Sequence, residues 1–134
     1  METEEKNTTE SITLIIESGE NSLWGRVLYD ENLIVDDAKS VGELEQKMKK
    51  LLFDFHDLNP GDFEFRIEYD LTVFFEQFDF LKITKIAELA GLNGSLLRQY
   101  ASGKKNPSAK QVEKIENAIK QLANQLADIH IYAH

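Results

Sequence analysis

The sequence predicts an α+β protein: a small β-β-β-α-β unit over residues 12–70, then an all-α unit over residues 71–134, with residues 1–11 as a flexible tail. Three observations predict it. Short β-branched runs separated by turn clusters fill the first part, whereas helical spacing dominates the second. Two Ser-x-x-Glu/Gln patterns, at Ser40-Val41-Gly42-Glu43 and Ser108-Ala109-Lys110-Gln111, mark helix starts. Charge changes sign where the periodicity changes: residues 1–80 hold 7 Lys/Arg against 20 Asp/Glu, and residues 81–134 hold 8 against 4.

Taken in order, residues 1–11 carry too little apolar side chain to pack. Ile12-Thr13-Leu14-Ile15-Ile16 reads as a strand that ends at the turn cluster Ser18-Gly19-Glu20-Asn21. Leu23-Trp24-Gly25-Arg26-Val27-Leu28-Tyr29 resumes as its hairpin partner. After Asp30-Glu31-Asn32, Leu33-Ile34-Val35 supplies a third short strand. The helix opened by Ser40 puts Val41, Leu44, Met48, Leu51, Leu52 and Phe55 on one face, and Asn59-Pro60-Gly61-Asp62 stops it. Phe63-Glu64-Phe65-Arg66-Ile67-Glu68-Tyr69 alternates apolar with charged, as a strand with one wet face does. Trp24 and the phenylalanines are read as core.

The second part begins with an apolar helix over residues 71–78. Ile83-Thr84-Lys85-Ile86-Ala87-Glu88-Leu89-Ala90 is the next, with Ile83, Ile86, Ala87 and Ala90 inward; Gly91 ends it. Leu92 fills the turn and Asn93 is a preferred N-cap. A short helix over residues 94–102 places Leu97 and Tyr100 inward and stops at Gly103. Lys104-Lys105-Asn106-Pro107 forms a basic loop. The last helix spaces Val112, Ile115, Ile119, Leu122 and Leu126 at 3-4-3-4 intervals, a stripe that suits core packing or a homodimer seam.

Composition excludes several classes. An apolar content of 42 %, with eight Phe and one Trp, supports a packed core, and the absence of cysteine removes disulfides and thiolate metal sites. The sequence lacks the marks of a secreted or membrane-spanning protein, so a cytoplasmic location is expected. The acids form no spaced pair that organises catalysis. His56 is a lone imidazole near a helix end, and His130 and His134 fall in a frayed tail. No enzyme activity, metal or cofactor is therefore expected.

Helix, glycine turn, short helix, basic loop and long helix is the helix-turn-helix arrangement. Ala87, Gly91, Leu97, Tyr100, Gly103, Lys104, Lys105, Pro107 and Ser108 resemble the phage-repressor-like (XRE/Cro-type) helix-turn-helix family over about fifty residues. The resemblance implies that the helix opened by Gly94 lies in the major groove of an operator, with Ser95, Arg98 and Gln99 facing base edges. It assigns Asn93, Lys104 and Lys105 to phosphates. One departure stands out: Gly94 occupies a position where the family often has a long polar side chain, which thins base readout and leans on phosphates and a dimer.

The β-β-β-α-β unit ahead of it resembles the HicB antitoxins, on the strands 12–16 and 23–29 and the capped helix at Ser40-Val41-Gly42-Glu43-Leu44. That family joins a partly RNase H-like, toxin-binding domain to a DNA-binding one. Its usual Pro-x-Leu-Pro-Gly-Cys segment is absent; residues 30–39 stand there instead. Three functions stay open on the sequence alone. One is an antitoxin-like autorepressor that binds a small basic toxin through its acidic unit. Another is a free-standing regulator whose first unit dimerises or senses a ligand. The third is an enzyme whose acids hold a metal on the sheet.

Overall fold

The computed structural model describes residues 10–134, so the expected tail lies largely outside the described residues. Its last two positions do not: Glu10 and Ser11 already belong to the first strand. The elements are β1 (Glu10–Ser18), β2 (Leu23–Tyr29), β3 (Asn32–Ala38), α1 (Val41–His56), β4 (Phe63–Tyr69), α2 (Leu71–Gln77), α3 (Ile83–Ala90), α4 (Gly94–Ala101) and α5 (Ala109–Ala127). A four-stranded sheet with one covering helix, followed by helices, is an α+β chain. It divides into two compact units between Val73 and Phe74, within α2.

In the first unit the strand order is β3-β2-β1-β4. β1, β2 and β3 form an antiparallel meander, and β4 runs parallel to β1 with Ile12 opposite Phe65 and Leu14 opposite Ile67. The parallel pair needs a crossover, and α1 supplies it. Alternation along the strands sends Ile12, Leu14, Ile16, Leu23 and Val27 to one face, where Leu44, Met48 and Leu52 of α1 complete a core with Phe63 and Val73. Truncating any one of the fully buried leucines to alanine would cost about 2–5 kcal/mol.

The start of α1 follows its capping pattern with one change. Ser40 Oγ accepts from the Glu43 amide at 3.1 Å, but the Glu43 carboxylate accepts from the Lys39 amide at 3.0 Å, one residue before the cap. At α5, Ser108 Oγ accepts from the Gln111 amide at 3.2 Å. The return half expected there is missing, because Gln111 Oε1 is buried and finds no partner among the described residues.

Several aromatic and apolar residues read as core are not. Phe55 is 73 % exposed although helical spacing puts it on the side of buried Leu44, Phe80 is largely in solvent, and Phe53 and Trp24 are about half exposed. Phe55 stands eleven residues after Leu44, three turns on and on the same side of the helix, in its last turn. The α5 stripe splits likewise. Ile115 and Ala118 are buried, whereas Val112 and Leu126 are exposed. Ile119 and Leu122 are half-buried, so the middle of the stripe packs within the chain while its two ends face solvent.

Candidate nucleic-acid interface

In the second unit α3 packs against both α4 and α5. Ile86, Ala87, Leu97, Tyr100, Ile115 and Ala118 are its buried residues at those helices. Gly91 closes α3 in the left-handed region at φ 71°, a conformation open to glycine at little cost. That turn brings the Leu92 amide to the Ala87 carbonyl at 2.9 Å and the Gly91 amide to the Glu88 carbonyl at 3.2 Å, so two carbonyls of the last turn of α3 are satisfied.

Asn93 then caps α4. Its Oδ1 accepts from the Ser95 amide at 2.8 Å and the Leu96 amide at 3.3 Å. The carboxamide oxygen is thus committed to the helix start, which leaves Nδ2 as the end able to donate outward. With Leu97 and Tyr100 buried, Ser95 and Arg98 are exposed and Gln99 is half-buried. The Gln99 carbonyl accepts from the amides of Lys104 (2.9 Å) and Lys105 (3.3 Å) and from Ser102 Oγ (3.2 Å). Gly103, at φ 83°, lets the chain make this turn. The basic loop is thereby fastened to the end of α4, with both lysine side chains exposed.

Gly94 explains how Arg98 is placed. A Cβ built on Gly94 would stand 3.6 Å from Arg98 Nη1 and 3.8 Å from Nη2. Side chains on a helix lean toward its N-terminus, so residue 98 reaches back one turn and its guanidinium lies over the bare α-carbon of residue 94. The Arg98 guanidinium therefore lies beside the space into which a long side chain at 94 would extend.

Three residues that sequence reasoning did not nominate stand beside it. Lys82, Thr84 and Lys85, at the start of α3, line with Leu81, Ile83, Glu88 and Arg98 an open depression of about 660 Å³. Lys85 pairs with Glu88 at 3.4 Å, and at such exposure this costs or gains little. The only sequence signal for these residues was the positive balance of residues 81–134.

Among the described residues, the first unit offers no comparable array. Its depression of about 220 Å³ is lined by residues that bond one another: Ser22 Oγ donates to Asp37, Lys39 Nζ to the Asn21 carbonyl, and Lys47 Nζ to the Asp37 carbonyl. His56 lies edge-on to Tyr29 at the end of α1, with ring centroids 5.1 Å apart. Among the described residues, no group of three or more His, Cys, Asp or Glu could hold a metal ion, and no helix is long and apolar enough to cross a membrane. His130 and His134 lie past the end of α5. No family model, curated protein or solved structure matches the chain.

Proposed function

We propose that the protein is a DNA-binding transcriptional regulator in which α3 and α4 act as a helix-turn-helix. One observation carries this reading: the surface that follows the Gly91 turn is chemically one-sided. Leu97 and Tyr100 point inward, while Ser95, Arg98, Lys104 and Lys105 are all exposed. In the groove, Arg98 is the residue suited to base readout, because its fork matches the O6 and N7 acceptors of guanine; such a pair discriminates by ~1–3 kcal/mol. Gln99 and Ser95 are the further candidates. Asn93 Nδ2, Lys104 and Lys105 contact phosphates, joined by Lys82 and Lys85 across the depression, and set the docking register. The protein is accordingly not assigned an enzymatic role.

The acidic first unit supports a second reading, that of an antitoxin-like autorepressor whose partner is a small basic protein. Residues 1–73 hold 18 Asp/Glu against 7 Lys/Arg, a balance that speeds encounter with a cationic partner. This reading requires a short basic reading frame beside the gene, whose product copurifies with the full chain.

Fluorescence anisotropy of the full chain on its own upstream DNA tests the regulator reading. Saturable binding is expected, weakened by Arg98→Ala and by Gly94→Gln alike, since the second substitution displaces the same guanidinium. Absence of binding to upstream and random DNA at every salt concentration would sink it.

A further inference from the structure

The sheet has a second face that α1 does not cover. Along β2 and β3 it carries Trp24, Leu28, Leu33 and Val35, which are 44, 71, 62 and 49 % exposed. The register makes them contiguous: Leu28 lies opposite Leu33, Val35 opposite Arg26, and Arg26 opposite the half-buried Ile15 of β1. Trp24 is held in place there, because its indole lies across Gly19, where any Cβ would overlap the ring. Four large apolar side chains on one sheet face form a patch that a monomer in water has no reason to keep.

The charges on this face narrow the occupant. Arg26 pairs with Glu17 through two contacts of 3.4 Å, and Arg66 pairs with Glu68 at 3.4 Å. Asp37 accepts from Ser22 Oγ at 2.9 Å. Among the described residues, Glu17 and Glu68 are paired with the two arginines, Asp37 accepts only a neutral hydroxyl and Glu64 has no pair, so four acids against two arginines leave this face a formal −2 of the unit's −11. The acidity of the unit is not concentrated on the patch, so a strongly basic partner finds little there to bind. An occupant must instead be apolar at its centre and need carry only a weakly charged rim. The same face of a second copy meets both conditions, bringing Leu28 and Leu33 against their own equivalents across a two-fold axis.

The area agrees. At ~60–120 Å² for each buried side chain, Ile15, Trp24, Leu28, Leu33 and Val35 supply about 400 Å² of apolar surface. The flanking Thr13, Glu17, Arg26 and Asp37 extend this toward the ~800 Å² per partner of a standard interface. We infer that the open face of the β3-β2-β1 sheet is a homodimer interface, forming a two-layer sandwich of sheets from two copies. It stands on the sheet alone and does not depend on the DNA reading.

Sedimentation velocity of the full chain without DNA, from about 1 to 100 µM, tests it. The wild type is expected to be a dimer. Leu28→Lys combined with Leu33→Lys should be monomeric with an unchanged circular dichroism spectrum, because both side chains are already in solvent. Trp24→Ala, which adds no charge, should weaken the dimer at least tenfold. Val112→Lys with Leu126→Lys, on the exposed part of α5, should leave it a dimer. Raising NaCl to about 0.5 M should not dissociate it, since the core of the interface is apolar. A monomeric wild type, a dimer that survives the Leu28/Leu33 pair, or one lost only in the α5 pair would each overturn the assignment. Failure of DNA binding would leave all these outcomes unaffected.

Discussion

Gly25 fixes how closely α1 approaches the sheet. A Cβ at this position would stand 2.7 Å from Leu44 Cδ2 and 3.1 Å from Leu14 Cδ1, and both leucines are fully buried. Neither can retreat, because Leu44 is seated in the sheet core and Leu14 lies on the central strand β1. The absent side chain is therefore what lets helix and sheet meet. Gly25→Val is expected to lower stability by about 1–3 kcal/mol through overpacking, read as a shift of the urea midpoint. Gly42→Ala is the matched control: nothing lies within 4 Å of its Cβ, and a helical glycine replaced by alanine should gain about 0.5–1 kcal/mol. An equal loss at both positions would mean that close approach is not what Gly25 provides. No sequence pattern reveals this role, since Gly25 reads only as an interruption in a strand. Gly94 is the counterpart at the candidate interface. The sequence marks it as a gap in the recognition surface, and only the structure places the Arg98 guanidinium over it.

At the scale of elements, the turn between β2 and β3 is the clearest departure from an ideal design. Asp30 and Glu31 both have positive φ, 51° and 67°. Two consecutive left-handed residues make the type I′ geometry that matches the twist of a hairpin, and Asn-Gly is the pair that adopts it most readily. Asp-Glu holds it under strain, so Asp30→Asn with Glu31→Gly should raise stability by about 1 kcal/mol, measured by urea denaturation. A loss of stability would show that the Asp30 and Glu31 side chains hold this turn in ways that outweigh backbone strain. The same stretch shows what sequence can and cannot say about elements. Helix starts at Ser40, Asn93 and Ser108 were legible because capping is local chemistry between neighbouring residues. Strand ends were not. β1 runs to Glu10 and Ser18, and β3 extends through Asp36 and Asp37 to Ala38, because ladder pairing uses backbone groups and tolerates polar side chains at the ends. The parallel β1–β4 pairing joins segments about fifty residues apart and has no local signature at all. Exposure of Trp24, Leu28 and Leu33 was hidden for a similar reason: alternation identifies two faces but not which of them a helix covers. At the candidate interface, Asn93, Ser95, Arg98, Gln99, Lys104 and Lys105 follow from one contiguous segment. Lys82, Thr84 and Lys85 join Arg98 only through the packing of α3 on α4.

On the scale of the whole molecule, charge is the property that the proposed function must reconcile. The chain carries a formal −9, yet residues 74–134 hold 8 Lys/Arg against 6 Asp/Glu while residues 1–73 are strongly acidic. An acidic unit on the same chain repels DNA at long range, and this suppresses binding wherever base readout adds nothing. Short-range phosphate contacts escape the penalty as ionic strength rises, because the Debye length falls to about 8 Å near physiological salt. Among the described residues, Lys82, Lys104 and Lys105 are the exposed lysines of the candidate interface without an ion pair, with Lys85 engaged by Glu88 and Arg98 assigned to a base. At ~0.9 per neutralised phosphate, each copy should therefore contribute a slope of roughly −3 to a plot of log affinity against log salt. Lys104→Ala and Lys105→Ala should each flatten that slope by about one and weaken all sequences alike. Arg98→Ala should leave the slope unchanged and instead erase the preference for upstream over random DNA, by the ~1–3 kcal/mol of one bidentate base contact. If Arg98→Ala flattens the slope and spares the preference, its guanidinium holds a phosphate. Sequence reading would then fall to Ser95 and Gln99, and Gly94 would be a seat for a docking contact rather than for a reader.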